Sequence, residues 1–165
     1  MAATTITTTP SSLGLSEPEL RAWRGLLRVY AALTQALSAE MEAAHGLSLS
    51  AYEVLMFLAA APEHRMRMRD LADSVILSRS GLTRLVDRLE ADGLLCREAC
   101  PSDARGAYAK LTAAGAAKLR EARTTHLAGV RAHFLDRLSP EDQSALAAAW
   151  ERVLPSAHAP GPGCG

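Results

Sequence analysis

Residues 76–95 read ILSRSGLTRLVDRLEADGLL, and this stretch decides the fold. Wound at about 100° per residue, Leu82, Leu85, Val86 and Leu89 fall on one side, at i, i+3, i+4 and i+7. Ser80, Thr83, Arg84, Asp87 and Arg88 fall on the other, with Arg79 beside the start. The spacing predicts a helix from about Ser78 to Ala91 that seats an apolar stripe on a small core and turns its polar face outward. Taken alone, such a helix fits a merely solvated face equally well.

Its neighbours favour more than solvation. Upstream, RDLADSVI (69–76) is a short amphipathic helix and LSRS (77–80) makes a turn. Downstream, GLLCREACPSDARGAYAKLT (93–112) reads as two short strands around a loop containing Pro101, Asp103 and Gly106. RMRM (65–68) alternates and fits a brief strand. Helix, turn, helix and hairpin make a winged helix-turn-helix, whose second helix enters the major groove of DNA. Ser78 and Ser80 let the backbone approach phosphate. Arginine suits guanine O6 and N7, and threonine suits a thymine methyl or a phosphate.

Long helices flank this unit. Ser16 and Glu19 stand at capping-box spacing, and Leu20, Trp23, Leu27, Tyr30, Leu33, Leu37 and Met41 then recur at helical spacing up to Gly46. A helix this long cannot bury its whole apolar face within so small a chain, so a second subunit is expected to cover it. LSAYEVLMFLAAAPE (49–63) is a shorter helix, capped by Ser50 and closed by Pro62. Thr112 caps a second long helix with apolar positions Ala116, Leu119, Leu127, Val130 and Phe134. A last helix starts at Ser139-Pro140, with acids in its first turn.

Bulk properties agree with this organisation. The chain has 165 residues, 22% of them charged and 48% hydrophobic, a globular composition. Eighteen basic and 18 acidic side chains cancel, which argues against a polybasic, non-specific nucleic-acid binder. Yet residues 65–88 hold six arginines against three aspartates, so charge is unevenly placed. With no apolar run of spanning length, no secretory signal and three cysteines, no membrane partner is expected and the location reads as cytoplasmic. The Thr/Ser/Pro-rich residues 1–15 and the residues 155–165 are expected to be disordered tails.

SRSGLTRLVDRLEADGLLCRE (78–98), Asp103-Ala104-Arg105 and AYAKLTAAG (107–115) stand in an order and spacing that resemble the MarR (multiple-antibiotic-resistance regulator) family. The resemblance runs from about Glu19 to Leu154. It implies a fold that is mainly α with a small β-hairpin wing, a winged helix-turn-helix lobe plus a helical dimerisation lobe. One domain, 16–154, would hold dimerisation helices at about 16–45 and 112–154 and a DNA-binding lobe at about 50–111. It further implies a homodimer straddling a pseudo-palindromic operator in double-stranded DNA, with Arg105 in the minor groove and Asp103 fixing the wing. Many relatives carry Arg-Arg where this chain has Arg105-Gly106, which implies a weaker grip on phosphate at the wing tip. The DNA-binding set is then Ser78, Arg79, Ser80, Thr83, Arg84, Arg88, Asp103 and Arg105.

A ligand set is also legible. Trp23, Arg24, Arg28 and Tyr30 on the first helix, with Tyr52 and Met56 on the second, suit a small aromatic or phenolic anion, ring on ring and guanidinium on carboxylate. Dimer packing explains the aromatic residues equally well. His45 or His64 would add a hydrogen bond or pH sensitivity. Cys96, Cys100, His126 and His133 lack the paired spacing of structural zinc, so no metal and no cofactor is expected. Catalytic signatures such as G-x-S-x-G or a P-loop are absent, and Asp70, Asp73 and Glu53 are spaced as surface residues, so no catalytic residues are expected. The sequence-based reading is a DNA-binding repressor released by an aromatic effector. Its alternatives are a winged-helix protein-interaction module, which would show exposed apolar groups on the 78–91 helix, and a cysteine redox-sensing regulator.

Overall fold

The computed structural model describes residues 14–100 and 103–154, without the side chains of 100 and 103–106. Among the described residues six α-helices and three strands follow in the order α1 (Glu17–His45), α2 (Leu49–Ala60), β1 (Arg65–Arg67), α3 (Met68–Ser74), α4 (Arg79–Ala91), β2 (Leu95–Cys100), β3 (Asp103–Leu111), α5 (Ala113–His133) and α6 (Pro140–Val153). The strands form one antiparallel sheet in the order β1-β3-β2. This is the mainly helical, winged architecture read from the sequence. Except for Gly14 and Leu15, the expected tails lie outside the described residues. No single helix among the described residues is long and apolar enough to cross a membrane.

The chain divides into two units, residues up to Ala32 and residues from Leu33 onward. In the first, α1 opens where Glu19 accepts from both the Ser16 amide, at 2.6 Å, and the Ser16 hydroxyl, at 2.7 Å. Trp23, Leu26, Leu27, Val29 and Tyr30 are all exposed along this part of α1. In the second unit, Leu37 and Met41 carry the same stripe into a core with Val54, Leu55, Leu58, Leu71, Leu82, Val86, Leu89 and Leu95.

Three local readings change. Ser48, not Ser50, caps α2: its extended backbone (φ −66°, ψ 157°) lets its Oγ accept from the Ala51 amide at 3.2 Å. Leu47 and Leu49, on either side of this cap, are both buried. The wing loop is shorter than expected, because β3 already begins at Asp103, opposite Cys100. On α5 the buried positions are Gly115, Ala122 and Gly129, whereas Leu127 is 45% exposed and Phe134 is only the C-cap. Close helix approach explains this: a Cβ on Gly129 would stand 2.6 Å from Glu40 Oε2 and 2.7 Å from Leu37 Cδ2.

Candidate nucleic-acid interface

Helix α4 is built to present one face. Ser78 Oγ accepts from the Gly81 amide at 3.1 Å, which satisfies an orphan donor of the first turn. Leu82, Val86 and Leu89 are buried, while Ser78, Arg79, Ser80, Thr83, Arg84, Asp87 and Arg88 are all exposed. The hydroxyls of Ser78 and Ser80 lie 3.3 Å apart. Thr83 Oγ1 donates to the Arg79 carbonyl at 3.0 Å and Arg84 Nε to the Ser80 carbonyl at 3.3 Å, so both side chains rest back along their own helix.

Aspartate 87 sits among these cations, and its charge is taken up from the sheet side. Arg97 on β2 reaches Asp87 at 2.6 Å and Glu90 at 2.5 Å, and the Arg97 amide donates to Glu90 at 2.8 Å. Partial burial alone would lower the Arg97 pKa, but the hydrogen bonds it donates to Asp87 and Glu90 outweigh it and raise it. Among the described residues Arg79, Arg84 and Arg88 make no ion pair, so the exposed face of α4 keeps uncompensated positive charge.

The sheet is braced on its other face. Arg65 and Arg67, two apart on β1, place their guanidinium carbons 5.2 Å and 5.5 Å from the Tyr108 ring centre. Arg67 Nε donates to the Tyr108 hydroxyl at 3.2 Å. Glu98 pairs with Lys110 at 2.8 Å and with Arg65 at 3.5 Å. The Lys110 hydrogen bond holds the Glu98 carboxyl below its ordinary pKa. This brace ties β1, β3 and β2 behind the wing. Asp103 and Arg105 lie in the first residues of β3, and their side chains fall outside the described residues.

Two features escaped the sequence reading. The alternation of RMRM already puts Arg65 and Arg67 on one face, but their shared tyrosine is a long-range partner that no local pattern shows. Ile76, in the turn before α4, is 79% exposed. It stands next to the helix start that carries Ser78 and Ser80.

The expected ligand residues separate into two kinds. Trp23, Arg24, Arg28 and Tyr30 are exposed on α1. Tyr52 is only 2% exposed, with its ring 4.6 Å from that of His126, and Met56 packs against the core. Burial pushes the His126 pKa down, and its Nδ1 has no hydrogen-bond partner among the described residues. His133 pairs with Glu40 at 2.6 Å and His45 meets Thr125 at 2.8 Å. His64 meets the Ala59 carbonyl at 2.9 Å through Nδ1. Cys96 is a free, partly buried thiol on β2. No group of three or more metal-ligating side chains comes together among the described residues.

Comparison with known proteins places this geometry. A family model described as MarR family matches residues 45–106. The fold superposes with a TM-score of 0.76 on AbsC, a MarR family transcriptional regulator from Streptomyces coelicolor, at 38% identity over 85% of this chain and 94% of that one. It superposes equally, at 0.76, on Sco3205, a MarR family regulator of the same organism in complex with DNA, at 35% identity over 90% and 99% of the two chains. A Bacillus subtilis protein described as the uncharacterized HTH-type transcriptional regulator YkoM is 28% identical over 81% of this chain and 87% of its own.

Proposed function

The chain belongs to the MarR family of DNA-binding transcriptional regulators, and on that footing we propose that it is a homodimeric repressor that reads a pseudo-palindromic operator with α4. The single observation that carries this reading is the face of α4. Three exposed arginines that make no ion pair among the described residues, interleaved with Ser78, Ser80 and Thr83, stand on a helix whose opposite side is locked into the core. Exposed large apolar groups, which a protein-docking helix would need, are absent from α4 among the described residues. The DNA-binding lobe is then about 50–111, with Arg105 of the wing reaching the flanking minor groove and Asp103 fixing the wing. The helices of about 16–45 and 112–154 join two copies.

Arg84→Ala is expected to weaken operator binding by about 1–3 kcal/mol and to relax preference at one position per half-site, as loss of a bidentate base contact does. Arg105→Ala should weaken binding with little change of base preference. Titrating both variants against a duplex that the parent selects from a randomised library checks this. Parent-like binding by both would reduce α4 to a solvated face.

The effector is proposed to be a small aromatic or phenolic anion. The support is an exposed indole, Trp23, with Arg24, Arg28 and Tyr30 on the same helix. An anion releases DNA only by favouring the state that binds DNA poorly, and linkage makes the effect mutual. Salicylate, followed by tryptophan fluorescence, is therefore expected to bind about five- to 150-fold more weakly to the operator complex than to free protein. Equal affinity in the two titrations would exclude it as a releasing effector.

A further inference from the structure

We propose that Thr112 and Gly115, which lie behind the DNA-facing surface, are positioning residues for DNA reading: they weld the stop of α4 to the start of α5. The proposal rests on the reading that α4 is the helix that meets DNA.

The stop of α4 is a left-handed glycine motif. Gly93, at φ +71°, follows the C-cap Asp92. Its amide donates to the Glu90 carbonyl and the Leu94 amide to the Leu89 carbonyl, both at 2.9 Å. This arrangement satisfies the last carbonyls of the helix and leaves two new acceptors, the carbonyls of Gly93 and Leu94. Thr112 takes both. Its Oγ1 donates to the Gly93 carbonyl at 2.7 Å and its amide to the Leu94 carbonyl at 3.2 Å. The same Oγ1 accepts from the Gly115 amide at 3.0 Å as the N-cap of α5. One hydroxyl therefore ties the turn that follows one helix to the start of another.

Gly115 lets this happen at a distance no side chain would allow. A Cβ there would stand 1.9 Å from the Leu94 carbonyl oxygen and 2.8 Å from Leu111 Cδ1. The turn after α4 and the first turn of α5 are thus in backbone contact as well as hydrogen-bonded. The weld matters for reading because α4 is short and its targets are exacting. A helix of 13 residues is about 20 Å long, so a tilt of about 10° moves its far end by about 3 Å. That exceeds what a bidentate arginine–guanine pair tolerates, yet it leaves general attraction to phosphate almost untouched.

The test separates the cap from the weld. Thr112→Ser keeps donor and acceptor. Thr112→Asp keeps a strong N-cap acceptor but cannot donate to the Gly93 carbonyl. Each is titrated at one salt concentration against the library-selected duplex and against poly(dI-dC), beside the parent and Arg84→Ala. Thr112→Ser is expected to match the parent. Thr112→Asp is expected to lose about ten- to 100-fold of its preference for the selected duplex over poly(dI-dC), the scale of one or two misplaced base contacts. A role in stability alone would scale both affinities together, so an unchanged ratio overturns the proposal. Should Thr112→Asp not fold, Thr112→Ala is read by the same ratio. If Arg84→Ala also leaves the ratio unchanged, α4 is not the reading helix. If Arg84→Ala lowers it and Thr112→Asp does not, the weld alone fails.

Discussion

Leu27→Glu is expected to yield a folded monomer that holds the full operator about 10²–10⁴-fold more weakly than the parent, the scale of a lost second site on one tether. Leu27 is 49% exposed on α1, between the exposed Trp23 and Tyr30. A side chain already half in water contributes little to the fold of a single chain, so the exchange should leave its stability within about 0.5 kcal/mol. Against a second copy the balance reverses. An unpaired carboxylate buried among apolar side chains costs several kcal/mol per ion, and a two-fold interface meets it twice. Sedimentation equilibrium at micromolar concentration should show the monomer, and affinity for an isolated half-site should be unchanged. A variant that stays dimeric would place the subunit interface away from this part of α1.

The largest effect on folding is expected from a single methyl group. Gly115→Ala should destabilise by about 3 kcal/mol, the upper end of overpacking. The obstructing atom is the Leu94 carbonyl oxygen, held by the Thr112 amide, and not the movable end of a side chain. Gly25→Ala on α1 is the control. Nothing lies within 4 Å of a Cβ there, so the helix should gain up to about 1 kcal/mol. Chemical denaturation of the two variants measures the contrast. A Gly115→Ala protein within about 0.5 kcal/mol of the parent would show that the turn relaxes freely.

Much of this was legible in the sequence because its causes are local. The α4 stripe, the Thr112 and Ser139 caps and the Pro140 start are set by residues within a turn or two, and they stand where the spacing put them. Two serines flank Leu49, and the local pattern alone does not choose Ser48 over Ser50 as the cap. On α5 the periodicity found Leu119, which packs against the core, but not the buried Gly115, Ala122 and Gly129. Periodicity counts large apolar side chains, whereas a closely crossing helix buries glycine and alanine and leaves Leu127 outside. In the site, the outward arginines were visible, but the removal of Asp87 by Arg97 was not. That pair joins helix to strand across ten residues, and its geometry depends on the sheet register.

The separation between what seats α4 and what projects from it bears on how such a protein changes over generations. Leu82, Val86, Leu89, Thr112 and Gly115 hold the helix in place, and none of them is among the side chains proposed to touch DNA. Ser80, Thr83, Arg84 and Arg88 carry little of the fold, since exposed positions away from caps and cores tolerate exchange within about 0.5 kcal/mol. A duplicated copy can therefore drift toward a new operator one outward residue at a time, without any ancestor along the route losing its folded state.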